Sequence, residues 1–133
     1  RAGLSKELDY TPTDRAEHMR RVAHICKLMN DQGILVVCSF VSPDESVRKQ
    51  VAEIIGEDKF SLVYLDSDID FCRDNDKYGL YEKADEGALK YLPGVDMEYQ
   101  VPSKPSLKID AINRAKNLEL LINYLNKNKI FPI

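Results

Sequence analysis

Residues 34–56, ILVVCSFVSPDESVRKQVAEIIG, join an apolar run to an amphipathic segment and set the character of the fold. The run at 34–41 is too short for most helices, and its apolar character is typical of a parallel strand covered on both faces. Ser42 and Glu45 form a capping box, and Pro43 suits the first position of a helix. The closing glycine is a typical helix stop. The stretch therefore predicts a strand followed directly by a helix.

The same alternation continues on both sides of this stretch. Before it, Thr13 is the predicted N-cap of a helix that reaches Gln32, and Gly33 is the predicted stop. Apolar residues at steps of three and four predict the buried stripe of this helix: Met19, Val22, Ile25, Cys26 and Met29. After it, the pattern predicts strands at 60–66 and 106–110, helices at 68–74, 80–86 and 113–129, and a loop at 92–105. Alternating strands and helices predict an α/β fold with a mostly parallel sheet and helices on both faces, in a single domain over 1–133.

Composition narrows the class of protein further. With 133 residues, 44% hydrophobic and 31% charged, the chain is typical of a soluble globular domain. A net charge of −3 argues against binding nucleic acid through a general positive field. No apolar run approaches the roughly 18 residues of a membrane span, and the first residues lack the apolar core of a signal peptide. We therefore expect a cytoplasmic protein that binds neither membranes nor nucleic acid.

Metal sites and disulfides are not favoured by the sequence. The cysteines are odd in number and favour free thiols in a reducing compartment: Cys26, Cys38 and Cys72. Neither His18 nor His24 has a partner at metal-ligand spacing. The acidic stretch 66–76, DSDIDFCRDND, lacks the glycine and glutamate of a calcium loop, so a solvated helix start is favoured there.

Two long blocks of the chain keep the order and spacing of a known set of motifs. The first is GLSKELDYTPTDRAEHMRRVAHICKLMNDQGILVVCSFVSP at 3–43, and the second is DKYGLYEKADEGALKYLPGVDMEYQVPSKPSLKID at 76–110. They resemble the adenylylsulfate (APS) kinase patterns DR-x-EN-x-RR, FISP, KGLY and YE-x-P. The resemblance implies a P-loop kinase fold of three layers, α/β/α. It also implies transfer of the γ-phosphoryl group of ATP, with Mg²⁺, to the 3′-hydroxyl of adenylylsulfate, forming PAPS in sulfate activation.

The resemblance assigns one set of residues to the acceptor substrate. Arg1 and Arg15 would grip the anionic phosphosulfate, since guanidinium forks suit oxyanions. Tyr10 and Leu92 stand where two phenylalanines of the family enclose the adenine. His18 stands in the same pocket, where the family has asparagine. From its own spacing, a buried structural histidine and a pocket residue are both open.

A second set is assigned to the reacting phosphate, the lid and the nucleotide. Val41 and Ser42 match the FISP loop, and Ser42 would lie near the transferring phosphate as the catalytic candidate. Leu80 falls in the lid segment that contacts the substrate. Asn75 and Lys77 would serve the ATP side, at the positions of a base-packing arginine and of the lid lysine.

Several positions depart from the family pattern. SPDE replaces SPYR, so Asp44 and Glu45 bring acids where the family has a positive charge, and Asp85 replaces the arginine of KKAR. These departures keep two alternatives open: a kinase for another nucleotide-linked anionic substrate, and an inactive kinase-like regulatory domain. Arg20 and Arg21, which follow the pocket residues, are expected in salt bridges or in solvent.

The Walker A pattern G-x-x-x-x-G-K-[ST] does not occur among these residues. Since the family carries that motif and a DGD segment ahead of the position of Arg1, we expect this chain to lack the N-terminal P-loop unit. The resemblance further implies a homodimer, fused to or associated with an ATP sulfurylase.

Overall fold

A computed structural model of the protein describes residues 1–130 and resolves them into two compact units. The first holds Arg1–Phe60 and Asp76–Val101, and the second holds Ser61–Asn75 and the residues from Pro102 onward. The helices of the first unit are α1 (Pro12–Asp31), α2 (Glu45–Ile55) and α4 (Leu80–Asp85). The second unit contains β1 (Val63–Asp66), α3 (Ile69–Asp74), β2 (Leu107–Asp110) and α5 (Arg114–Lys127). Within residues 1–130, no helix combines the length and apolar character that crossing a bilayer requires.

Helix α1 begins slightly earlier than its sequence predicts. The side chain of Thr11 accepts a hydrogen bond from the Asp14 amide at 3.2 Å and caps the helix, while Pro12 occupies the first turn. The prediction of Thr13 as N-cap is therefore wrong by two positions. At the other end Gly33 has φ +77°, and the amide of Ile34 reaches back to the carbonyl of Met29. The predicted stop at Gly33 is confirmed.

The core of the first unit lies between α1 and α2. Its buried members are Ala23, Cys26, Val51 and Ile55, with Met19, Val22 and Val36 among the side chains packed against them. Two predicted stripe residues are not buried: Ile25 is 41% exposed and Met29 is 37% exposed. They lie about 200° and 240° around the helix from Ala23, away from the side that meets α2.

The start of α2 corrects the predicted capping box. The helix begins at Glu45, and the carboxylate of Asp44 accepts a hydrogen bond from the Val47 amide at 3.0 Å. Ser42 and Pro43 precede the helix, and Ser42 adopts φ +42°. Ser42 is therefore not the N-cap and Pro43 is not the first helical residue, because a carboxylate closer to the helix caps it. Gly56, with φ +106°, ends α2 as predicted.

Residues 34–41 do not form the strand that their sequence predicts. The sheet found in residues 1–130 pairs β1 with β2 and does not include this run. Val36 packs against the core, but Val37 is 86% exposed and Val41 is 58% exposed. A strand requires a hydrogen-bonded neighbour as well as apolar residues, and this run has none within the described part of the chain.

The second unit contains the parallel sheet. β1 and β2 pair in parallel from Val63 opposite Leu107 to Asp66 opposite Asp110. Asn113 caps α5 by accepting from the Lys116 amide, and α5 packs on β2. The predicted strands at 60–66 and 106–110 are confirmed with shorter bounds, as are the three predicted helices near 68–74, 80–86 and 113–129. The α/β class with a parallel sheet is confirmed.

Candidate functional site

A tyrosine and two arginines meet in the first unit. The guanidinium carbon of Arg1 lies 4.4 Å from the centroid of the Tyr10 ring, and that of Arg15 lies 5.3 Å from it. These are cation–π distances. Arg1 also donates to the Asp9 carbonyl at 2.6 Å, and 51% of Tyr10 remains exposed. The structure thus brings three predicted substrate residues into one group, called here the Tyr10 cluster (Arg1, Tyr10 and Arg15).

The guanidinium of Arg15 connects two loops of the first unit. Its Nε donates to the Tyr10 carbonyl and its Nη2 to the Tyr91 carbonyl, both at 2.8 Å. Burial lowers the pKa of Arg15, and the neighbouring charge of Arg1 lowers it further. Two guanidinium groups around one aromatic ring form a positive site that an anion would stabilise.

The turn at Tyr91 and Leu92 is held by a carboxylate that the sequence did not single out. Asp96 accepts hydrogen bonds from the amides of Tyr91 at 2.7 Å and of Leu92 at 2.6 Å, and these bonds lower its pKa. Tyr91 adopts φ +61°, a left-handed conformation that is uncommon outside glycine. Leu92 therefore follows directly on the residue that Arg15 binds. The turn-forming residues of LPGVD were the available signal for this arrangement.

His18 is buried in the first unit. It is 8% exposed, its Nδ1 lies 2.9 Å from the Ser5 hydroxyl, and its ring meets Phe40 edge to face with centroids 5.8 Å apart. Burial lowers its pKa, and the positive charge of Arg1 adds to the effect. These contacts are typical of a buried structural histidine, which is one of the two alternatives that the sequence spacing leaves open.

Ser42 lies beside Arg15 in a small depression. Its Oγ is buried and has no hydrogen-bond partner within residues 1–130. The depression has a volume of about 30 Å³ and is lined by both side chains together with Pro12, Ala16, Met19, Pro43, Asp44, Val47 and Met97. A buried hydroxyl without a partner is costly, and a bound polar group would relieve that cost.

The remaining predicted residues lie elsewhere. Leu80 begins α4 and is 39% exposed, and Lys77 precedes it in a turn. That turn is fixed by Asp76, which accepts from the amides of Tyr78 and Tyr81. Asn75 belongs to the second unit, where it ends α3 and donates to the Phe71 carbonyl.

No side-chain group in residues 1–130 offers the features of a metal centre. No set of three or more histidine, cysteine, aspartate or glutamate side chains is arranged to hold an ion in this part of the chain. The positive charge and the aromatic ring of the Tyr10 cluster are chemically suited to an anionic ligand.

The chain is similar to known proteins in both sequence and structure. The family model of adenylylsulphate kinase matches residues 1–110, and the chain belongs to that family. The fold is accordingly that of a kinase of the P-loop class. A solved structure of the Mycobacterium tuberculosis APS kinase CysC, in complex with AMPPNP and APS, superposes with a TM-score of 0.89 at 30% identity. That match covers 95% of this chain and 75% of the other.

Relatives of assigned activity include single and bifunctional enzymes. The adenylyl-sulfate kinase of Marinobacter nauticus is 35% identical over 132 residues, covering 98% of this chain and 66% of the relative. The bifunctional enzyme CysN/CysC of Rhodopirellula baltica is 42% identical over 111 residues, or 84% of this chain and 17% of the relative. The chain therefore spans about two thirds of the first relative and a small part of the second.

Proposed function

We propose that this chain provides the acceptor pocket of an adenylylsulfate kinase, which transfers the γ-phosphoryl group of ATP to the 3′-hydroxyl of adenylylsulfate and forms PAPS. The observation that carries the proposal is the Tyr10 cluster beside the unpartnered hydroxyl of Ser42. The Tyr10 cluster and Ser42 both lie in the first unit. Arg15 belongs to the cluster and also lines the depression that Ser42 lines.

The acceptor is the part of the reaction that this geometry addresses. Arg1 and Arg15 are each held against Tyr10 and by backbone carbonyls before any anion binds, so they can pair with a phosphosulfate without being ordered first. The half-exposed ring of Tyr10 offers an aromatic surface for adenine, and Leu92 follows the turn that Arg15 holds. Binding and orientation of this kind are the main contribution of a protein to phosphoryl transfer.

Ser42 is the residue that we place nearest the reacting phosphate. Its hydroxyl would donate a hydrogen bond to a phosphoryl oxygen, with Val41 beside it in the same loop. Leu80 and Lys77 would close over the substrates as part of the lid, and Asn75 would contact the nucleotide base. Mg²⁺, when bound with ATP, would neutralise charge on the phosphates.

The identity of the acceptor rests partly on His18. His18 stands where the family has asparagine, and this departure by itself keeps another acceptor open. Its buried contacts with Ser5 and Phe40 account for the histidine without any change of acceptor. Adenylylsulfate is therefore the acceptor that we propose.

We also propose a cytoplasmic enzyme that works as a homodimer and is joined to an ATP sulfurylase. Relatives named bifunctional enzymes, such as CysN/CysC and the NodQ protein of Rhizobium tropici, support fusion with a second activity. A sulfurylase is the expected second activity, since that reaction produces the acceptor.

The proposal is tested by measuring ADP release from ATP by the complete protein, with and without adenylylsulfate. We expect release that depends on adenylylsulfate. Arg15→Ala should lower kcat/KM for adenylylsulfate about 10- to 100-fold, the effect of losing one charge-assisted hydrogen bond of roughly 1.5–3 kcal/mol. Arg20→Ala is the matched control, because Arg20 pairs with Glu17 on the same helix. Wild-type protein that binds ATP but never phosphorylates adenylylsulfate would refute the proposal.

A further inference from the structure

An arginine that the predicted site does not include is among the most buried side chains of the first unit. Arg48, in α2, is only 4% exposed. Its Nη1 donates to the carbonyl oxygen of Ser42 at 2.5 Å, and its Nη2 donates to that of Gln100 at 2.5 Å. Glu45 pairs with the same guanidinium through Nε at 2.9 Å. An arginine is rarely buried to this degree unless it is paired, and every one of these bonds is directional.

Gln100 completes the contact from the opposite direction. Its amide donates to the carbonyl of Pro43 at 2.9 Å, and its side-chain oxygen accepts from the amide of Glu45 at 2.8 Å. Hydrogen bonds of both the backbone and the side chains therefore join the loop ahead of α2 to the segment around Gln100. We call this arrangement the Arg48 clasp (Ser42, Pro43, Glu45, Arg48 and Gln100).

The clasp holds Ser42 in a conformation that it would otherwise avoid. A left-handed φ of +42° on a residue other than glycine costs on the order of 1–3 kcal/mol and persists only where its surroundings impose it. Arg48 binds the carbonyl of that same residue, and Gln100 binds the carbonyl of the next. These contacts therefore fix the backbone of a residue in the wall of the depression that Arg15 also lines.

We propose that Arg48 is a positioning residue for the kinase reaction, acting through Ser42 and together with Gln100. The proposal rests on the proposed function, because it concerns the hydroxyl placed nearest the reacting phosphate. Arg48 is buried and acts through the backbone, since its guanidinium donates to the carbonyl of Ser42. Lysine cannot replace it, since one ammonium group cannot bridge the two carbonyls in the planar geometry of a guanidinium.

The experiment compares Arg48→Lys and Arg48→Met with Lys49→Met, a change at the exposed neighbouring position, in the complete protein. The first measurement is steady-state kinetics per folded molecule. A misplaced hydroxyl should lower kcat at least tenfold in both Arg48 variants, while KM for adenylylsulfate changes less than about threefold. Lys49→Met should match wild type. An unchanged kcat per folded molecule in the Arg48 variants would overturn the positioning role.

The second measurement is amide hydrogen exchange, which does not depend on activity. The amides of Gln100 and Glu45, both bonded within the clasp, should exchange at least tenfold faster in Arg48→Met than in wild type. Unchanged exchange at both amides would show that Arg48 does not hold the clasp. If wild-type protein shows no kinase activity while exchange is still faster in Arg48→Met, the proposed function is wrong and the role of Arg48 in the clasp stands.

Discussion

The burial of His18 and the positive charge near it make the stability of the fold depend on pH. Burial and the nearby charge of Arg1 lower its pKa below the ordinary value of 6.5. The unfolded chain then binds a proton that the folded chain resists, so stability should fall as the pH drops below 6.5 and level off below the folded pKa. We predict that His18→Asn weakens this loss. The free energy of unfolding in urea, measured at about pH 7.5 and about pH 5, tests it.

The exposed His24 provides the matched control for that prediction. His24→Asn should retain the loss of stability on acidification shown by wild type, because the burial of His18 is untouched. Equal losses in wild type and His18→Asn would contradict the assignment to His18.

Glu17 gives a pH dependence of the same sign in a more acidic range. Its carboxylate accepts from Arg20 and Arg21, which lower its pKa from 4.5 to about 2. A lowered carboxyl pKa stabilises the fold above 4.5, and that stabilisation is lost as the pH falls from 4.5 towards 2. We predict that Glu17→Gln flattens the unfolding free energy across this acidic range, while leaving its dependence near neutrality unchanged. An acid profile as steep as that of wild type would count against it.

At the scale of residues, the sequence predicts those contacts that depend on family motifs or on local spacing along a helix. Arg15 and Tyr10 were predicted together and lie together, and Arg20 and Arg21 form the expected salt bridges. Asp96 and the Arg48 clasp were missed. Arg48 and Gln100 are 52 positions apart, and no local periodicity reports a contact formed only by the folded chain.

At the scale of elements, the start of α2 offers a direct comparison of two candidate caps. Asp44 accepts the Val47 amide, whereas the Ser42 hydroxyl has no partner within residues 1–130. We predict that Asp44→Ala destabilises the fold by about 1 kcal/mol. Ser42→Ala should cost less than about 0.5 kcal/mol, since no hydrogen bond is lost. Urea unfolding measures both, and the reverse order would restore Ser42 as the cap.

Elements were predictable to the extent that their stabilising contacts are local. Helices carry their own hydrogen bonds and caps, so α1, α2 and α5 were located to within about three residues. Two neighbouring acceptors, Ser42 and Asp44, satisfied the capping rule, and only the fold shows which is used. The prediction of a strand at 34–41 is wrong, because a strand depends on a hydrogen-bonded partner that sequence periodicity does not specify.

At the scale of the whole molecule, apolar surface is concentrated on the run at 34–41. Ile34, Leu35, Val37, Phe40 and Val41 are all exposed there, a density unusual for a monomeric surface. The net charge of −3 does little to offset such a patch against self-association. We therefore expect the run at 34–41 to promote self-association of the 133-residue chain in solution.

Val37, at 86% exposed, gives the sharpest test of that expectation. We predict that Val37→Lys lowers the fluorescence of a bound hydrophobic dye and reduces self-association in light scattering. Its unfolding free energy should stay within about 0.5 kcal/mol of wild type, as for other exposed positions. Val51→Ala, at a core residue 7% exposed, should instead cost about 2 kcal/mol. A loss of that size from Val37→Lys would mean that Val37 is covered in solution, and the apolar run would then be part of a packed interface.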